Sequence, residues 1–216
     1  MRSKSLIVGS AAVFAVLYLA ATTALGKPPA ADASSATTTT WLAGHEGHVR
    51  TFAWLLVIGL PFFCAASAGL RLWLPSGWRD VYFAGAIAFV VETAIQCWLW
   101  GALAFAPATG SPSTPLVFHI ALFWGPVLTS ATLAMLVPLA VVGLGDHGWP
   151  RWMGVLAGVA ALEQAIETTT VFGHHGFMAP GGAMNLYLGA GLTAVALFGA
   201  VVAVAVMPAP AAAETT

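Results

Sequence analysis

The chain has 216 residues, of which 59% are hydrophobic and only 7% charged, with a formal net charge of −1. That charge content is far below the ~25% usual for soluble proteins, which argues against a water-soluble globular fold. The near-neutral balance also argues against nucleic acid as a partner, since that demands a basic face.

Six apolar stretches reach the ~20 residues that a helix needs to cross a bilayer. They lie at 5–25, 51–73, 81–106, 115–143, 153–172 and 185–207. No alternating strand pattern competes with them. Backbone polar groups in lipid must be satisfied within the segment, so the sequence predicts an all-α, polytopic transmembrane bundle of six spans in one membrane domain.

Arg2 and Lys4 precede the first stretch and small residues follow it. A cleavable signal peptide, cut near Ala31-Asp32-Ala33, has the same outline. The apolar run exceeds a usual signal core, which favours a retained span. Residues 26–50 read as a polar, flexible, extracytoplasmic linker, with Pro28, Pro29 and the run Thr37–Thr40. Trp41 and Trp54 suit a headgroup belt.

With the N-terminus inside, Arg2, Lys4, Arg71, Arg79 and Arg151 fall on the cytoplasmic side and only Lys27 and Arg50 outside. The excess obeys the positive-inside rule and places both termini in the cytoplasm. Prolines stand inside two spans: Pro61 in the second, and Pro126 and Pro138 in the fourth. Each removes a backbone donor. Gly154-x-x-x-Gly158 permits close helix approach. Cys64 and Cys97 both lie in apolar runs, as buried thiols do, rather than in the loops of a disulfide framework. Asn185 is placed to cap the sixth span, and residues 208–216 form a Pro/Ala-rich tail predicted to be disordered.

Four landmarks carry a resemblance: Trp41–His48 before the second span, Gly69-Leu70-Arg71 at its exit, Pro150–Gly154 entering the fifth, and Pro180–Asn185 entering the sixth. Together they resemble a bacterial family of six-span membrane proteins known only as a domain of unknown function. The resemblance covers most of the chain. It implies the same six-span layout and a bacterial plasma membrane location, and it implies no activity. Glu163, Glu167, His174 and His175 are not part of that pattern.

The fifth span is where chemistry gathers. Glu163 and Glu167 are spaced i, i+4 on one helix face, and each carboxylate at bilayer depth costs about 2.5–3.5 kcal/mol by insertion scales. They are therefore expected to face other helices, a partner or water. Glu92 lies mid-span in the third helix with Gln96 one turn on, and His119 lies near the outer end of the fourth. His174 and His175 follow the fifth span. Five of the six histidines fall on the outer side.

If the third, fourth and fifth spans are neighbours, Glu92, His119, Glu163, Glu167, His174 and His175 would line an outward-opening Glu/His cavity. Such a cavity would bind or move a small cation. Mixed imidazole and carboxylate ligands suit a divalent transition metal, and Glu/His chains in membranes relay protons. Three bland readings stand beside this. His174–His175 can be a solvated turn, His119 a hydrogen-bonded headgroup residue, and Glu92 a packing lock bonded to Gln96 or to a carbonyl freed by proline.

His45-Glu46-Gly47-His48 lacks the i, i+4 spacing of a zinc-protease helix. No phosphate loop, nucleophile elbow or CxxC pair is present. The runner-up is a non-catalytic membrane subunit whose acids pair with a partner protein or a second copy of the chain. Acids turned outward to lipid would favour it. A metal-dependent membrane enzyme comes third, and it requires at least three His and Glu side chains to converge.

Overall fold

A computed structural model describes residues 4–109 and 113–208. Arg2 and residues 209–216 of the expected tail lie outside them. Every regular element among the described residues is helical. Six helical stretches are long and apolar enough to cross a membrane.

The first stretch is α1 (Lys4–Leu25) and the second is α2 (Ser35–Leu70). The third is α3 (Ser76–Leu103), followed by the single turn α4 (Ala106–Thr109). The fourth stretch is broken into α5 (Thr114–Leu122) and α6 (Trp124–Leu144). The fifth is α7 (Arg151–Glu167), prolonged by a 3-10 segment, Thr168–Phe172. The sixth begins as a π-helix, Met184–Gly189, and continues as α8 (Ala190–Val206).

Two boundaries differ from the sequence reading for identifiable reasons. Residues 35–50, expected within a flexible linker, are helical. Ser34 caps them, its Oγ accepting from the Thr37 amide at 3.2 Å. At 36 residues, α2 is about 54 Å long, well beyond the ~30 Å hydrocarbon thickness. The fourth span breaks at Phe123, one turn before Pro126, whose ring clashes with the carbonyl four residues earlier and which has no amide to donate. Pro61 and Pro138 sit inside continuous helices.

The spans pack in chain order as a ring. α1 lies on α2, α2 on α3, α3 on α6, α6 on α7 and α7 on α8, and α8 returns to α1. Two buried apolar clusters pack between them. One joins Ile7, Phe63, Tyr82, Met135 and Met153, and the other joins Leu42, Phe52, Trp100 and Phe118. At the α6–α7 crossing, a Cβ on Gly143 or on Gly154 would strike the other's backbone, whereas Gly158 meets only the Ala140 Cβ at 3.9 Å. Close approach therefore rests on Gly143 with Gly154.

One end of the bundle gathers the basic residues. Lys4 Nζ donates to the carbonyls of Ala205, at 3.0 Å, and Met207, where a cation complements the helix C-terminus. Its charge also lies over the Trp73 ring, and Trp149 Nε1 donates to Trp73 O at 3.1 Å. The start of α1, the end of α8 and the two short turns carrying Arg71 and Arg151 thus share one end. Cys64 and Cys97 are free thiols.

Candidate cation site

α7 is turned so that its acids face inward. Leu162 is 64% exposed, while its neighbour Glu163 is 7% and Glu167 3% exposed. This is the arrangement the insertion cost demands.

The two acids are tied together by the residue between them. Gln164 Nε2 donates to Glu163 Oε2 at 2.9 Å and to Glu167 Oε2 at 2.5 Å. Its own carbonyl oxygen accepts from Thr132 Oγ1 on α6. Oxygens at those two distances from one nitrogen lie within about 5.4 Å of each other. Two full charges at that separation repel by about 3 kcal/mol at an effective dielectric of ~20. Among the described residues the one ion pair is Arg50 with Glu46, at 3.5 Å and partly exposed, so no cationic side chain neutralises the pair. Glu163 Oε1 is buried without a partner.

Local sequence brings a second element to Glu167. Thr168, Thr169 and Thr170 each donate their hydroxyl to the carbonyl three residues back, at 2.6, 2.7 and 2.8 Å. That back-bonding accompanies tightening from α to 3-10 geometry and leaves Thr170 beside the acids. Asn185 Nδ2 donates to Glu167 Oε1 at 2.6 Å and to Thr170 Oγ1 at 3.2 Å. Asn185 is therefore not a helix cap. It lies within the π-helical turn, whose first residue follows Ala183 without any side-chain cap. Such wide turns recur at functional sites. Gly189 closes the turn, and a Cβ there would run into Glu167 Oε2 and approach Gln164 Nε2 to 3.0 Å.

The six residues singled out by sequence do not assemble into one set. Among the described residues no three His, Cys, Asp or Glu side chains form a group able to hold a metal ion. Glu163 and Glu167 are together. Glu92 stands half-buried on α3 with Oε2 unpaired, and Gln96 bonds the Ala121 carbonyl at 2.7 Å instead of Glu92. His119 lies between two backbone carbonyls, Nδ1 2.6 Å from Pro115 O and Nε2 2.8 Å from Ala31 O. His174 and His175 are exposed in the loop after the fifth span. Backbone carbonyls engage the His119 imidazole, and those of His174 and His175 stand in an exposed loop, so the three are not gathered with the acids.

A cavity of about 230 Å³ runs up the middle of the ring, with Glu167, Gln164, Asn185, Thr132 and Gln96 on its wall. Its remaining surface is mainly apolar, and no histidine lines it. The sequence reading expected six residues around one hollow, and among the described residues Glu167 is the one of the six on this wall. That reading also missed Gln164, Asn185 and Thr132 as members. The signal for Asn185 was a lone amide at the mouth of an apolar span.

The chain matches no family model, no curated protein and no solved structure.

Proposed function

We propose that this chain is a multi-pass membrane protein that takes up a small cation, with a proton as the simplest case, at the Glu163–Gln164–Glu167 cluster. One observation carries the reading: two inward carboxyl groups share a single amide donor and have no basic partner. Buried charge without compensation costs several kcal/mol, and a proton or bound cation removes that cost. Inward-facing acids weigh against the subunit reading, which needs them turned outward. Among the described residues the enzyme reading finds no convergence of three His and Glu side chains to support it.

The reading includes placement in a bacterial plasma membrane with both termini in the cytoplasm. The clustering of Lys4, Arg71 and Arg151 at one end supports it through the positive-inside rule.

The test is thermal unfolding of the purified protein as methylammonium chloride replaces choline chloride at constant ionic strength. A ligand that binds only the folded state raises the midpoint by mass action. The wild type is expected to respond, and Glu163→Gln combined with Glu167→Gln to lose the response. An unchanged response in the double variant overturns the proposal, as does a wild type that shows neither this response nor a pH dependence of the midpoint that the double variant loses.

A further inference from the structure

The central cavity is larger than an inorganic cation needs, and its shape bears on what the cation is. On α1 its lining residues run from Ala11 to Leu25, about 21 Å at 1.5 Å per residue. It is therefore a long, narrow slot. Phe14, Phe63, Phe89 and Leu197, from four different helices, form apolar stretches of its wall. A bare ion at Glu167 would leave most of this slot unused.

Hydrogen-bonding capacity is left over beside the acid. Asn185 spends its Nδ2 on Glu167 and Thr170, while its Oδ1 is buried without a partner. Asn185 is only 6% exposed and lines the cavity. One turn along α8 from Gly189, Thr193 Oγ1 is likewise buried, unpaired and on the cavity wall. Unpaired buried acceptors of this kind cost about 1–3 kcal/mol each unless something donates to them.

Charge narrows the class of donor. Glu167 is the one carboxylate on the cavity wall, and no Lys, Arg or His lies there among the described residues. A phosphate or carboxylate headgroup would thus meet negative charge and no counter-charge. An ammonium group, with three donors and no acceptor, matches both Glu167 and the spare Asn185 carbonyl.

We infer that the slot takes an amphipathic ammonium: a primary amine seated against Glu167 and Asn185, with an unbranched apolar tail along the α1–α8 wall. This rests on the reading of Glu167 as a cation ligand and names the class of cation. The bilayer is as apolar as the slot, so the tail gains little by leaving lipid. Selectivity is accordingly set by the headgroup, and the tail fixes which ammonium fits.

The experiment uses the full chain in phosphatidylcholine nanodiscs. Dodecylamine, dodecanol and dodecanoate are added at equal mole fraction, with methylammonium as the tail-less control, and the unfolding midpoint is read. Dodecylamine is expected to raise the midpoint of the wild type by about 5 °C at saturation, and the alcohol and the acid are not. Ala194→Phe adds a ring to the slot wall five residues beyond Gly189, about 7.5 Å of helical rise, and should abolish the dodecylamine shift while keeping the methylammonium shift. Leu197→Phe serves the same purpose if Ala194→Phe does not fold.

Equal shifts with dodecanol and dodecylamine overturn the inference. So does a dodecylamine shift that survives a correctly folded slot-filling variant. A methylammonium response without a dodecylamine response overturns the inference alone and leaves the cation reading standing. Absence of any methylammonium or dodecylamine response overturns the inference, and absence as well of a pH dependence that the double variant loses removes both.

Discussion

Asn185 reaches back 18 residues in sequence to hold Glu167, Nδ2 to Oε1, at 2.6 Å. This bond joins the start of the sixth span to the end of the fifth and fixes one carboxylate oxygen while Gln164 fixes the other. Asn185→Ala removes the donor and leaves a buried oxygen unpaired, which costs about 1–3 kcal/mol. Thermal unfolding should register a drop of a few degrees for a chain of this size. Asn185→Asp, which adds a third acid, should drop further.

Gly189 has no room for a side chain. A methyl group there would meet Glu167 Oε2, and overpacking of this kind costs about 1–3 kcal/mol. Gly189→Ala should destabilise the wild type and do so less in a Glu167→Ala background, where the obstructing carboxylate is gone. The difference between the two effects, in a double-mutant cycle, should reach about 0.5–3 kcal/mol.

The α6–α7 contact discriminates between two glycines of one motif. Gly154→Val should disrupt packing, because a Cβ there strikes the Gly143–Leu144 backbone. Gly158→Ala should stay within about 0.5 kcal/mol of wild type, as expected for a substitution that meets no obstacle. Equal effects would mean that the helices approach through a different register.

Placement of the ends can be read with thiol reagents in a background without Cys64 and Cys97. Lys27→Cys should be modified in intact cells by a membrane-impermeant maleimide, and Arg79→Cys only after permeabilisation. The reverse pattern would invert the proposed orientation.

Hydropathy was enough to locate all six membrane-length helices, because apolar runs of this length leave a chain few alternatives. The inward turn of Glu163 and Glu167 was equally legible, from the cost of exposing them to lipid. The start of α2 was not, because threonine-rich stretches suit loops by composition while a single serine cap at Ser34 decides the matter. Asn185 was misread for a related reason. A polar residue before an apolar run looks like a cap, and only the tertiary placement of Glu167 gives it another task. For the histidines, an expected common side carried no information about distance. His119 is satisfied by Pro115 and Ala31, and His174 and His175 by water-facing loop positions.

Lys4 grips the far end of α8, so α1 gains this neighbour only after the five described stretches that follow it have been synthesised. Until then the barrel-like enclosure has a missing stave, and the α1 side of the hollow is uncovered. The amphipathic ammonium inferred above would have a way in there before the seam closes. A cargo loaded by this route would be acquired at birth, and its later exchange would require the seam between α1 and α8 to part again.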